Sequence, residues 1–222
     1  KDNSWATGTN PKVNSIYERM RALVPETGAE VWNEAVGGAT ADTLPAQAEE
    51  ALTLVPHPRL TVIQTVDNDL VCPIDDAAFP AFRKSIDATL KTLTTASPEG
   101  RIFIVLNPPN IGDQFAFDRA AALSDPKALA AITGPPPCSE LDAQHRIQPE
   151  SVAYLTRMVK RFDQELVDSC AKYPTCTTDK GHEVGFTLPP DGMNPGNDHM
   201  SVAGNAALAE YMWPLIEPLL SS

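Results

Sequence analysis

Arg101-Ile-Phe-Ile-Val-Leu106 is an unbroken apolar run behind a single arginine, cut off by Asn107-Pro-Pro-Asn110. A strand with apolar residues on both faces leaves no side for water, which places it inside a parallel sheet covered on both sides. Working outward toward the amino end, Phe79 to Thr95 carries apolar residues at helical spacing, and Arg59-Leu-Thr-Val-Ile-Gln-Thr-Val66 is a β-rich run that stops at Asp67-Asn68-Asp69. Ahead of that, Leu44, Ala48, Ala51 and Leu52 form a helical stripe capped by Thr40 or Asp42, Ala29 to Val36 reads as a strand ending in Gly37-Gly38, and Ile16, Met20, Leu23 and Val24 mark a first helix. Toward the carboxyl end, the spacing predicts a long helix from Pro149 to about Tyr173, a last strand over Glu183 to Leu188, and a closing helix from Val202 to about Leu219, with Ser201 as its cap. Strands alternating with helices define an α/β fold, here a single domain over 1–222 with a mainly parallel sheet. Residues 112–147 interrupt the alternation. They are expected to form a cap-like insertion with short helices near Asp118–Ala122 and Pro126–Ile132, since a structureless loop of that length is uncommon.

In such sheets ligands sit beyond the carboxyl ends of the strands. Those ends carry Gly37-Gly38, Asp67-Asn68-Asp69, Asn107 and Asn110, a row of small and polar residues. The formal net charge of −12 argues against nucleic acid and anionic membranes, because a polyanion would be repelled. No apolar run reaches the length of a membrane span, so no stable membrane insertion is expected. Cys72, Cys138, Cys170 and Cys176 lack the C-x-x-C spacing of a zinc or redox site. Their even number suggests disulfides and a secreted or extracytoplasmic protein, with Cys170 joined to Cys176 and Cys72 to Cys138, reduced thiols in a cytosolic enzyme being the alternative. No signal peptide is visible at Lys1, so an exported form would be the mature or a trimmed one.

Four short motifs follow one another along the chain: Asp2-Asn-Ser-Trp-Ala-Thr-Gly8, Asn33-Glu-Ala-Val-Gly-Gly-Ala-Thr40, Val66-Asp-Asn-Asp69, and Asp191-Gly-Met-Asn-Pro-Gly-Asn-Asp-His-Met-Ser-Val-Ala-Gly204. In this order they resemble the blocks of the SGNH hydrolases, the superfamily of GDSL-type lipases and esterases. The resemblance implies a three-layer αβα sandwich of the SGNH and flavodoxin-like kind. It also implies Ser4 as nucleophile, His199 as its base, and an oxyanion hole from the backbone N–H groups of Ser4 and Gly38 and the side chain of Asn68. A serine hydroxyl becomes nucleophilic when a neighbouring imidazole takes its proton, and the donors hold the charge that then grows on the ester oxygen. The substrate implied is a small acyl ester of a carbohydrate or lipid, cleaved by a monomer that needs neither metal nor other cofactor.

The chain departs from the family at four places. Asp2-Asn3 stands for Gly-Asp, Val66 for the glycine of the third block, and Gly196 for the acid that orients the histidine, leaving Asp198, Asp191 or a backbone carbonyl for that task. Only Lys1-Asp2-Asn3 precedes Ser4 where the family places a strand. A catalytically impaired relative that binds a glycan or lipid in the same crevice is the alternative reading. Elsewhere, His57, His145 and His182 read as structural, Asp67 and Asp69 as turn formers rather than metal ligands, and Trp5 either as a packed aromatic or as part of a subsite.

Overall fold

The computed structural model describes residues 1–24, 30–107, 126–194 and 199–220. Its centre is a three-stranded parallel sheet, β1 (Leu60–Gln64), β2 (Arg101–Val105) and β3 (Cys176–Thr178), in that spatial order. Leu60 lies opposite Arg101 and Gln64 opposite Val105, while Ile102 faces Cys176 and Ile104 faces Thr178. Parallel neighbours need long crossovers, and helices supply them. α3 (Ala78–Ala96) joins β1 to β2, and α4 (Pro126–Ile132) and α5 (Pro149–Cys170) lie between β2 and β3. α1 (Ile16–Leu23) and α2 (Leu44–Leu54) precede the sheet, and α6 (Val202–Leu220) closes the chain.

Side chains alternate across a strand, and β2 divides its own between two cores. Ile102 and Ile104 pack with Phe79, Phe82, Ile86 and Leu90 of α3 and with Phe162 and Leu166 of α5. Phe103 and Val105 pack with Trp5, Ile16 of α1 and Leu208, Met212 and Ile216 of α6. Phe162 meets the rings of Phe79 at 4.7 Å and Phe82 at 4.9 Å. The molecule is thus mixed α/β with a parallel sheet, and the central apolar run is buried on both faces as its composition requires.

Three expectations are corrected. Residues 30–36, the described part of the strand expected at 29–36, form no strand. The Asn33 side chain accepts from Ala35 N at 3.0 Å and donates to Thr7 Oγ1 at 2.7 Å, so a local turn replaces a ladder, and Trp32 and Val36 are left 51% and 61% exposed. The strand expected over Glu183–Leu188 is a 3-10 helix at His182–Gly185. It forms because the Asp179 carboxylate gathers the N–H groups of Gly181 (3.1 Å) and Glu183 (2.9 Å); the third strand lies just before it, in Cys176-Thr-Thr178. Neither Thr40 nor Asp42 caps the second helical stretch with its side chain. Asp69 does this from across the chain, its two carboxylate oxygens accepting from Ala41 N at 3.0 and 3.2 Å.

The two disulfides are Cys72–Cys138 and Cys170–Cys176, the pairing expected. No described helix is long and apolar enough to cross a membrane. Of the insertion at 112–147, the helix at Pro126–Ile132 forms and is followed by isolated bridges joining Leu141 to Thr133 and to Ile147; the short helix expected at Asp118–Ala122 lies outside the described residues.

Candidate functional site

Ser4 sits in a tight turn that its own backbone closes, Ser4 N donating to Lys1 O at 3.0 Å and Gly8 N to Ser4 O at 2.8 Å. A Cβ on Gly8 would stand 2.4 Å from Ser4 O and 2.6 Å from Asp2 O, so the glycine four residues after the serine is a packing requirement of the turn. The Ser4 hydroxyl accepts from Ala6 N and Thr7 N, both at 3.3 Å. Those bonds use its lone pairs and leave its proton to be given elsewhere. The Ser4 N–H is different: it is engaged with Lys1 O, so it would have to leave that carbonyl to serve as an oxyanion donor.

The second segment is the loop before α6. Asn194 N donates to His199 O at 3.0 Å, Ser201 N to Gly192 O at 2.8 Å, and the Ser201 hydroxyl to Asp191 O at 2.6 Å. The same hydroxyl accepts from Gly204 N at 3.1 Å, capping α6 as expected. Gly204 lets the two arms of the loop close, because a Cβ there would lie 2.1 Å from Gly192 O. His199 is exposed on this loop, as is Asp191, whose backbone carbonyl takes the Ser201 hydroxyl. Asp198 lies outside the described residues.

Asn205, in the first turn of α6, joins the two segments. Its Oδ1 accepts from Trp5 N at 3.0 Å, and its Nδ2 donates to Met200 O at 3.1 Å and Ser201 O at 2.9 Å. The residue after Ser4 and the residue after His199 are therefore two hydrogen bonds apart. Trp5 anchors the turn further by packing into the core around Phe103 and Met212, and it also lines the cavity described next.

A cavity of about 620 Å³ runs along the outer edge of β1, within the range of small-molecule sites. Ser4, Thr7, Asn68 and Asp67 line it beside apolar residues that include Met20, Leu52 and Val62. Gly38 is not in its lining but stands next to Ala39 and Thr40, which are. It occupies an exposed turn closed by Ala39 N on Val36 O at 3.1 Å, with φ 78°, a conformation that favours glycine. His199 is likewise not among the lining residues. Ser4 and Asn68 thus share a cavity, and the His199 loop is joined to the turn of Ser4 through Asn205.

Under the carboxyl ends of the strands lies a set of acids, Asp163 and Asp179 buried and Glu183 and Asp69 half-buried. Asp163 of α5 accepts from Asn107 N (3.1 Å) and Asn107 Nδ2 (3.2 Å), and Asn107 Nδ2 also donates to Thr65 O at 2.9 Å, tying the ends of β1 and β2. Asp179 Oδ1 accepts from Leu106 N at 3.1 Å. Burial drives Asp163 up to about 6 against the bonds from Asn107, with the charges of Asp179 and Asp67 adding to the rise. Glu183 is pushed to about 8 by burial first and then by Asp179, Asp67 and Asp163. Its Oε2 is buried with no hydrogen-bond partner among the described residues, so the neutral carboxyl is the form that fits this place at neutral pH. Asp69 also rises through burial, opposed by its bonds from Ala41 and Thr65.

Sequence reasoning missed Asn205, Asp163, Asp179 and Glu183, and placed Asn107 at a strand end without its partner Asp163. For the three on helix or loop interiors no spacing marks them, and Asp163 lies on a helix whose stripe reads as plain core; Asn107, next to the strand end, carried the available signal. Among the described residues no group of three or more His, Cys, Asp or Glu is arranged to hold a metal ion. Compared with known proteins, the chain matches no family model and no curated protein.

Proposed function

We propose that the protein is a serine esterase of the SGNH type, a three-layer αβα hydrolase that cleaves a small O-acyl ester of a carbohydrate or lipid and works as a secreted monomer. The observation that carries this reading is that Ser4 and Asn68 line one cavity while the turn holding Ser4 is hydrogen-bonded through Asn205 to the loop of His199. The Ser4 oxygen attacks the ester carbonyl as its proton passes to His199, and Gly38 N–H and the Asn68 amide take the charge on the carbonyl oxygen. The proton then goes from His199 to the leaving alcohol. Water, deprotonated by the same imidazole, releases the acid and restores Ser4. The two disulfides support the extracytoplasmic setting, where such bonds persist.

The test is hydrolysis of short-chain aryl esters by the unmodified protein, Ser4→Ala and His199→Ala. Each substitution is expected to remove at least a thousand-fold in kcat, by analogy with loss of a nucleophile or base elsewhere. A protein that takes up no serine-directed phosphonate probe ends the proposal. The second reading, a non-catalytic glycan or lipid binder in the same crevice, is favoured by the Ser4 N–H being held by Lys1 O. Calorimetry with acylated sugars separates the two, since a binder leaves the ester intact.

A further inference from the structure

We infer that Asn205 is a positioning residue for the proposed reaction: one side-chain amide fixes the serine turn and the histidine loop in a single register. The inference rests on the esterase reading and adds a device to it. An amide has one oxygen that accepts and one nitrogen with two protons to donate. Asn205 spends its oxygen on Trp5 N and both protons on the carbonyls of Met200 and Ser201. The oxygen therefore faces the residue after the nucleophile, and the nitrogen faces the two residues after the base.

No other side-chain type matches this pattern at the same length. Aspartate keeps the acceptor for Trp5 N but sets a second oxygen against two carbonyl oxygens, and leucine or alanine abandons both sides. The bridge also sits on a rigid support, because Asn205 N donates to Ser201 O at 3.0 Å within the capped first turn of α6, and Trp5 is locked in the core. Motion of the histidine loop away from the serine turn has to break these bonds. A misplacement of about 1 Å between a nucleophile and its base costs on the order of a hundred-fold in rate without weakening the binding of substrate.

The experiment compares the unmodified protein with Asn205→Asp, Asn205→Ala, Ser4→Ala and, as a control for lost stability, Val159→Ala in the core of α5. Steady-state hydrolysis of a short-chain aryl ester and the rate of acylation by a phosphonate probe are measured at least about 10 °C below each variant's melting temperature. For both Asn205 variants the expected result is a fall of about ten- to a hundred-fold in kcat and in probe acylation, with KM within about three-fold of the parent. Val159→Ala is expected to keep the parent's kcat at the same margin below melting. Asn205 variants that turn over within about two-fold of the parent, while Ser4→Ala is inactive, overturn the inference and leave the esterase reading standing. A parent with no Ser4-dependent hydrolysis ends both. Failure of both Asn205 variants to fold in the cold also overturns it, since Asn205 would then hold the fold rather than the geometry of the site.

Discussion

Val66 has a branched side chain, is buried to 1% exposure and holds φ 107°, a backbone region that L-residues other than glycine rarely enter. Such a conformation costs on the order of 1–3 kcal/mol, which the packing of Val66 in the core around Ile63 and Phe79 has to offset. Val66→Gly relieves the backbone while removing the side chain, so its destabilisation in urea should come out well below that of Ile63→Gly, a buried neighbour in a regular strand. Glu183 and Asp163 set a second residue-scale property. In the folded protein both hold protons that the unfolded chain releases above 4.5 and 3.8, their ordinary values. The stability they confer is complete below those values and is lost as pH rises through about 6 for Asp163 and about 8 for Glu183. Melting temperature is therefore expected to fall by several degrees between pH 5 and about pH 8.5, and Glu183→Gln, neutral at every pH, is expected to flatten the upper part of that slope. A melting temperature that climbs over the same interval would contradict the burial of these acids.

At the scale of elements, the reading from sequence succeeded where periodicity is strong and failed where short polar contacts decide. The helices now bounded at Ala78–Ala96 and Pro149–Cys170, and the strands at Leu60–Gln64 and Arg101–Val105, each carry a repeated apolar pattern that only one local structure can bury. β3 has three residues, two of them threonine, and is fixed by its neighbours Ile102 and Ile104 rather than by its own pattern. The stretch expected as a strand at 29–36 has a suitable composition, but its described part, 30–36, pairs with no described strand and instead lines the cavity together with β1. For the candidate site, Ser4, Asn68 and the His199 loop were legible as ordered motifs, whereas the links between them were not, because a bond such as Trp5 to Asn205 spans 200 residues of sequence. In α5, Phe162 packs against the rings of both Phe79 and Phe82. Phe162→Ala is expected to cost about 3–5 kcal/mol in chemical denaturation, the range for emptying a buried aromatic site. A loss under about 1 kcal/mol would mean that α3 and α5 close over the gap.

For the molecule as a whole, the two disulfides differ in what they constrain. Cys72–Cys138 closes a loop of 66 residues, so the loss of chain entropy it imposes on the unfolded state corresponds to roughly 4 kcal/mol. Cys72→Ala together with Cys138→Ala should lower the melting temperature by about 10 °C, read by calorimetry under non-reducing conditions. Cys170–Cys176 spans only 6 residues, but it ties the last residue of α5 to the first residue of β3. That short tether holds the sheet's outermost rung at the point from which the chain runs on to Asp179 and the buried acids. Preparation is where this matters: material made in a thiol-rich cell, or kept with strong reductant, would arrive without that tether, so the route of manufacture becomes part of what any assay of the protein measures.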